Sequence, residues 1–67
     1  MNLRLKLLLL SRDLRQRDLA AKTGRGEPRV SNIITGWKTP TPTEKATIAK
    51  ALEVSIEEVF EEEVQHA

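Results

Sequence analysis

Apolar residues recur at helical spacing along the whole chain, and no stretch alternates apolar with polar residues as a half-buried strand does. Leucines at positions 3, 5, 8, 9 and 14 begin this pattern, and the pairs at 33–34 and 48–49 continue it. The spacing predicts an all-α protein of five short helices. We place these helices at residues 3–12, 16–23, 27–35, 42–52 and 56–61.

Residues that favour helix ends mark the predicted boundaries. Gly24 and Gly36 stand where a helix C-terminus favours a positive φ. Pro28 fits the first turn of the third helix, because that turn has no N–H partner to lose. The segments 41–44 (TPTE) and 55–58 (SIEE) have the pattern of capping boxes, so they predict the starts of the last two helices.

Length and composition limit the possible functions. A chain of 67 residues forms one domain, which we place at residues 1–61, before an acidic tail at 62–67 that we expect to fray. Without a cysteine, and with His66 as the one histidine, the chain offers no nucleophile–base set and no thiolate metal site. We therefore expect no enzyme activity, cofactor, metal or small-molecule ligand. The leucine run 7–10 is too short to cross a membrane, so we expect a cytoplasmic protein.

The formal net charge of +1 hides a strong asymmetry between the two halves of the chain. Residues 1–38 hold nine Lys and Arg against three acidic residues, a net charge of +6. Residues 39–67 hold two Lys against seven Glu, a net charge of −5. This asymmetry favours one surface that faces a polyanion and another turned away from it. Ordinary solvated charge on helix surfaces is the alternative.

The segment GRGEPRVSNIITG, residues 24–36, admits two interpretations. A dinucleotide-binding loop needs a preceding strand and a third glycine at the right offset, and a Walker-type loop needs Lys followed by Ser or Thr. This segment has none of these. Two helices of about eight residues, joined by a three-residue turn that begins with glycine, are instead typical of a helix-turn-helix.

With its apolar residues toward the core, the third helix turns a small and polar face outward. In the DNA major groove, Asn pairs with adenine, Arg pairs with guanine, and Glu accepts from the cytosine amino group. Pro28 either contacts a thymine methyl or only starts the helix. Asn32 either contacts a base or is simply exposed to solvent, and Arg29 contacts either a base or a phosphate. The predicted base-contacting residues are Glu27, Pro28, Arg29, Ser31 and Asn32.

From Leu14 the chain runs LRQRDLAAKTGRGEPRVSNIITG, which resembles the Cro/repressor-type, or XRE, helix-turn-helix family with its lambda-repressor-like fold. The family pattern is roughly L-x-Q-x-x-L-A-x-x-x-G-x-S-x-x-x-[IV]-S-x-I-E-x-G. Residues 49–60, AKALEVSIEEVF, resemble the closing pair of helices, so the resemblance covers about residues 3–60. Nine residues fit the pattern without a gap: Leu14, Gln16, Leu19, Ala20, Gly24, Val30, Ser31, Ile33 and Gly36.

The resemblance implies a sequence-specific DNA-binding transcriptional regulator of a bacterium, phage or mobile element, in particular a repressor. Its third helix lies in the major groove of double-stranded DNA. Such modules bind as homodimers to half-sites about 34 Å apart. The residues implied to contact the DNA backbone are Arg15, Gln16, Arg17, Arg25, Thr35, Gly36, Trp37 and Lys38.

The C-terminal region often supplies the dimer contact in this family, which implies Val59, Phe60 and Val64 here. Packing of Phe60 inside its own chain is an equal alternative. An antitoxin-type interaction protein of the same fold is the alternative function. Such a protein would bind a partner protein through the acidic C-terminal region.

Three departures from the family pattern, which involve four residues, are informative. The family often pairs an arginine of the first helix with the glutamate two residues before the final glycine, and Leu9 and Ile34 occupy these positions. Because exchanging a buried ion pair as a whole for hydrocarbon is often neutral or stabilising, we predict that Leu9 contacts Ile34. Gly26 replaces the usual serine cap of the third helix, and Arg15 stands where Ser or Asn often caps the second.

Overall fold

A computed structural model describes residues 1–60, and that range is entirely helical apart from its turns and loops. The predicted all-α class is confirmed, and α2, α3 and α4 have the predicted bounds. The first helix ends one residue before its predicted end. The fifth helix ends at Val59, two residues before its predicted end at residue 61, because Phe60 already leaves the helical conformation. The tail at 62–67 and Val64 lie outside the described residues. The helices are α1 (Leu3–Ser11), α2 (Gln16–Thr23), α3 (Glu27–Thr35), α4 (Pro42–Leu52) and α5 (Ile56–Val59).

A single core lies between these helices. The second helix packs against α3 and α4, the first packs against α3 and α5, and α4 packs against α5. Each helix buries apolar residues of its predicted pattern, although Leu3, the first leucine of that pattern, is 58% exposed. Removing the buried side chains from water supplies the main driving force for folding. The core residues are Leu5, Leu9, Leu19, Ala20, Val30, Ile33, Ile34, Ile48, Leu52, Val59 and Phe60.

The helix ends use glycines and capping residues largely as the sequence predicts. Gly24 has φ +74° and Gly36 has φ +90°, so both adopt the left-handed conformation. At α4 the capping box is complete, because Glu44 N donates to Thr41 Oγ1 at 3.1 Å and Thr41 N donates to Glu44 Oε1 at 2.9 Å. At α5 the backbone N–H before the helix donates to Oε1 of Glu58 at 2.9 Å, which is the glutamate half of the predicted box.

Two turns use the left-handed conformation without glycine. Asp13, between α1 and α2, has φ 57°, and Glu53, at the end of α4, has φ 60°. The sequence pattern did not indicate a positive φ at either position. The turn after α1 is closed by Leu14 N, which donates to the carbonyl of Leu9 at 2.8 Å.

Leu9 and Ile34, which replace the ion pair common in the family, are both buried. They belong to the same core cluster and line the same depression in the surface, together with Leu14. This placement is compatible with the predicted contact between them, which stays a prediction. None of the helices in residues 1–60 has the length and apolar content needed to cross a membrane.

Candidate nucleic-acid interface

The second and third helices form a helix-turn-helix around the turn 24–26. Gly24 ends α2 in the left-handed conformation, and Gly26 precedes α3 with extended backbone at φ −72° and ψ 151°. A Cβ on Gly24 would meet no heavy atom within 4 Å, so its φ rather than its surroundings favours glycine. The turn directs α3 across α2 and leaves one face of α3 uncovered.

The uncovered face of α3 carries four of the five predicted base-contacting residues. Glu27 and Pro28 are exposed, and Ser31 and Asn32 are half-buried. The carbonyl of Asn32 accepts from the N–H groups of Gly36 and Lys38 at 3.1 and 3.2 Å. Because no side-chain hydrogen bond joins the Asn32 amide to another residue of 1–60, that amide keeps its donors and acceptor for a ligand.

Arg29, the fifth predicted base-contacting residue, is directed toward α4. Its Nε donates to Oε2 of Glu44 at 2.9 Å, and its Nη2 donates to Oε1 of the same carboxylate at 2.6 Å. A third donation, from Nη2 to the carbonyl of Thr39, spans 3.4 Å. The guanidinium is therefore engaged by the protein itself, an interaction that neither alternative for Arg29 anticipated.

Glu44 is the buried charged residue of the described chain, with 7% of its surface exposed. Beside the two bonds from Arg29, its carboxylate accepts the N–H of Thr41 and lies 3.6 Å from Nε of Arg25. The hydrogen bonds from Arg29, then that from Thr41, lower the pKa of the Glu44 carboxyl to about 2. The hydrogen bonds that Arg29 donates to Glu44 raise the pKa of the Arg29 guanidinium. Glu44 thus stays ionised over the whole physiological pH range.

The sequence pattern places Glu44 in the capping box and gives no indication that it contacts the helix-turn-helix. Its partners Arg25 and Arg29 precede it by 19 and 15 residues. Only the packing of both α3 and α4 against α2 makes them neighbours. One feature of the sequence could have indicated this contact: an acidic residue lies in the first turn of α4, after an arginine-rich segment.

The residues implied to contact the DNA backbone lie at the edges of α2 and α3. Arg15, Gln16 and Thr35 line one shallow depression, which brings the start of α2 next to the end of α3. Gly36 and Lys38 line a second depression beside the first residues of the chain. Arg17 is exposed, and Trp37 is 81% exposed on the loop that leaves α3. Arg25 lies in the turn beside Glu44.

The start of α2 is capped differently from the family pattern. Arg15 at the cap position has no side-chain oxygen to offer, but its N–H donates to Oδ2 of Asp18 at 2.8 Å. Asp18 therefore stabilises the start of α2 while the Arg15 side chain stays exposed. The structure thus leaves this arginine accessible at the edge of the helix-turn-helix.

The implied dimer contacts at the end of the chain are buried within it. Val59 is 1% exposed and Phe60 is 8% exposed, so both belong to the core of the single chain. Of the two alternatives for Phe60, the structure shows packing inside its own chain. A dimer contact through Val59 or Phe60 therefore has no exposed apolar surface to use in this conformation, and Val64 lies outside the described residues.

Comparison with known proteins agrees with this geometry. The helix-turn-helix family model matches residues 5–59, most of the chain, so the protein belongs to the helix-turn-helix family. The resemblance to the Cro/repressor type is thereby confirmed, and members of this family are DNA-binding transcriptional regulators. No curated protein and no solved structure shows significant similarity to the chain.

Proposed function

We propose that the protein is a sequence-specific repressor that occupies operator DNA as a homodimer, with α3 in the major groove. The observation that carries this proposal is the uncovered face of α3, where the Asn32 amide has no hydrogen-bonding partner within residues 1–60. Direct contact by Asn to adenine in the major groove is a common basis of specificity. Glu27, Pro28 and Ser31 lie on or beside the same face and complete the proposed base-contacting set.

The distribution of charge supports the same proposal. Residues 1–38 carry a net +6, and the helix-turn-helix lies within them. Arg15, Gln16, Thr35 and Lys38 lie at the edges of α2 and α3, where they would contact phosphates on both sides of the groove. Phosphate contacts of this kind fix the orientation of a protein on the duplex but do not by themselves select a sequence.

Selection of bound sequences from a random double-stranded DNA pool tests the proposal. We expect a two-fold symmetric sequence with half-sites about one helical turn apart. A titration of affinity against salt should show a steep negative slope, since each neutralised phosphate contributes about −0.9 to it. The absence of an enriched sequence, or affinity that is independent of salt, would contradict the proposal.

Two single variants separate base contact from phosphate contact. Asn32→Ala should weaken binding by about 1–3 kcal/mol and relax the preference at one position of each half-site. Lys38→Ala should weaken all sequences alike and make the salt slope less steep by about 1. Lys50→Ala, on the exposed side of α4, is the matched charge control and should change neither quantity.

A protein partner is the second candidate function, and one surface favours it. Leu3, Leu7 and Leu10 are each more than half exposed and share one face of α1. Such an apolar stripe is typical of a surface that another helix covers. Co-expression with the product of the neighbouring reading frame tests this function. Leu7→Lys should then abolish co-purification without changing the DNA sequence that is selected.

A further inference from the structure

We propose that Glu44, a residue of α4 outside the helix-turn-helix, sets the base preference of α3 by holding Arg29 away from the bases. The proposal rests on the DNA-binding function proposed above. Under this inference, Glu44 acts on the DNA interface only by fixing the position of the Arg29 side chain, and neither residue contacts a base. Base contact is left to the remaining residues of the uncovered face, Asn32 foremost.

The carboxylate of Glu44 is fully engaged by the contacts it already makes. Its Oε1 accepts from Nη2 of Arg29 at 2.6 Å and from the N–H of Thr41 at 2.9 Å, and its Oε2 accepts from Nε of Arg29 at 2.9 Å. Two parallel bonds between a guanidinium and a carboxylate form the strongest geometry available to arginine. With Glu44 only 7% exposed, water competes poorly for these bonds. Arg29 is therefore held in one orientation.

Arg25 is the second arginine beside this carboxylate, and it is held less firmly. Its Nε lies 3.6 Å from Oε2, which is an ion pair but too long for a hydrogen bond. That Nε atom is buried and has no hydrogen-bond partner within residues 1–60. The two arginines and one glutamate leave a net charge of +1. Arg25, whose side chain is 38% exposed, is the member of this cluster that remains for a phosphate.

The place of Arg29 on α3 explains why its release would change specificity. Arg29 and Asn32 are three residues apart, so their side chains are neighbours on the helix surface. A guanidinium released from Glu44 could extend beside the Asn32 amide toward the adjacent base pair. Guanine is the base that arginine contacts with two parallel hydrogen bonds. Loss of Glu44 should therefore add a guanine preference next to the position that Asn32 determines.

Selection from the same random DNA pool, applied to the wild-type protein and three variants, tests the inference. Glu44→Gln removes the charge but keeps an oxygen for the N–H of Thr41. We expect it to gain a guanine preference of about tenfold at one position of each half-site. Arg29→Gln should keep every preference of the wild-type protein. The double variant Glu44→Gln with Arg29→Gln should lose the gained preference, because the gain depends on Arg29.

Two outcomes would overturn the inference while leaving DNA binding intact. The first is a folded Glu44→Gln variant that selects the wild-type sequence unchanged. The second is an Arg29→Gln variant that loses a preference present in the wild-type protein, since Arg29 would then contact a base directly. If the Arg29–Glu44 pair had only a structural role, the variants would change the thermal stability of the protein but not the DNA sequence that it selects. Failure of the wild-type protein to enrich any sequence would instead overturn the proposed function itself.

An NMR measurement on the wild-type protein tests whether Arg29 stays bound to Glu44, even where a variant fails to fold. The Nε–H of Arg29 should give an NMR signal that exchanges more slowly than that of a free arginine, because it donates to Oε2 of the buried Glu44 carboxylate at 2.9 Å. We expect this signal to keep its position when operator DNA is added. A shift of the signal into the range of guanine-bound arginines on binding would overturn the inference.

Discussion

The side-chain Nδ2 of Asn2 donates a hydrogen bond to the carbonyl of Val59 at 3.0 Å, and so joins the first and last helices of the described chain. Asn2 Oδ1 also accepts the N–H of Leu5 at 3.0 Å and caps α1, while its backbone N–H donates to Ile34 at 2.8 Å. One residue thereby holds α1, α3 and α5 together. Asn2→Ala should destabilise the protein by about 2 kcal/mol, the sum of a cap and a hydrogen bond.

Asn2→Asp is the matched control for the two contacts of this side chain. It keeps an oxygen to cap α1 but has no donor for the carbonyl of Val59. We expect it to cost less than Asn2→Ala, about 1 kcal/mol, in denaturant unfolding experiments. Equal losses for the two variants would mean that the cap contributes nothing.

Gly36 should tolerate alanine less well than Gly24, although both have a positive φ. The strain of a left-handed non-glycine residue applies to both and costs about 1–2 kcal/mol. A Cβ on Gly36 would also lie 3.2 Å from the backbone nitrogen of Met1, whereas a Cβ on Gly24 would meet nothing within 4 Å. Denaturant midpoints of Gly36→Ala and Gly24→Ala measure the difference. A larger loss for Gly24→Ala would show that Met1 does not occupy this position in solution.

Glu44 should make the stability of the protein depend on pH in the acid range. Its pKa is about 2 in the folded chain, below its ordinary value of 4.5. A carboxyl with a lowered pKa stabilises the fold fully above the ordinary value, and the contribution is lost as the pH falls toward about 2. The stability difference between the wild-type protein and Glu44→Gln should therefore be constant from pH 7 to about pH 5 and shrink below that.

Arg29→Gln provides the control for this pH dependence, because it removes the largest cause of the lowered pKa. We expect the acid-induced loss of stability to be smaller in Arg29→Gln than in the wild-type protein. Thermal unfolding followed by circular dichroism between pH 2 and pH 7 measures both differences. Identical acid profiles for all three proteins would contradict the role assigned to the carboxylate.

Much of the fold could be predicted from the sequence because its determinants are local. The spacing of apolar residues located the helices, and Gly24, Gly36 and the box at Thr41–Glu44 located several of their ends. The positive φ at Asp13 and Glu53 could not be predicted in this way. Neither residue type requires that conformation. It accompanies the hydrogen bonds that close the ends of α1 and α4, from Leu14 N to the carbonyl of Leu9 at 2.8 Å and from Val54 N to the carbonyl of Ala49 at 3.0 Å.

The candidate site could be predicted only where a residue acts through its position on one helix. The outward face of α3 followed from helical spacing, and the structure leaves Glu27 and Pro28 exposed and Asn32 half-buried on that face. The pairing of Arg29 with Glu44 depends on how α3 and α4 both pack against α2, which no local pattern encodes. Burial of Phe60 depends likewise on the packing of the α5 region against α1 and α4.

Leu9 and Ile34 provide a test of how this chain replaced the ion pair common in its family. Leu9→Arg alone places an unpaired charge in the core and should cost several kcal/mol. Leu9→Arg combined with Ile34→Glu should recover part of that loss if the two side chains meet, because the charges then pair. Ile34→Gln in the same background has nearly the size of glutamate without its charge, and should recover less. Equal destabilisation by Leu9→Arg with and without Ile34→Glu, measured by urea unfolding, would show that the two positions do not interact.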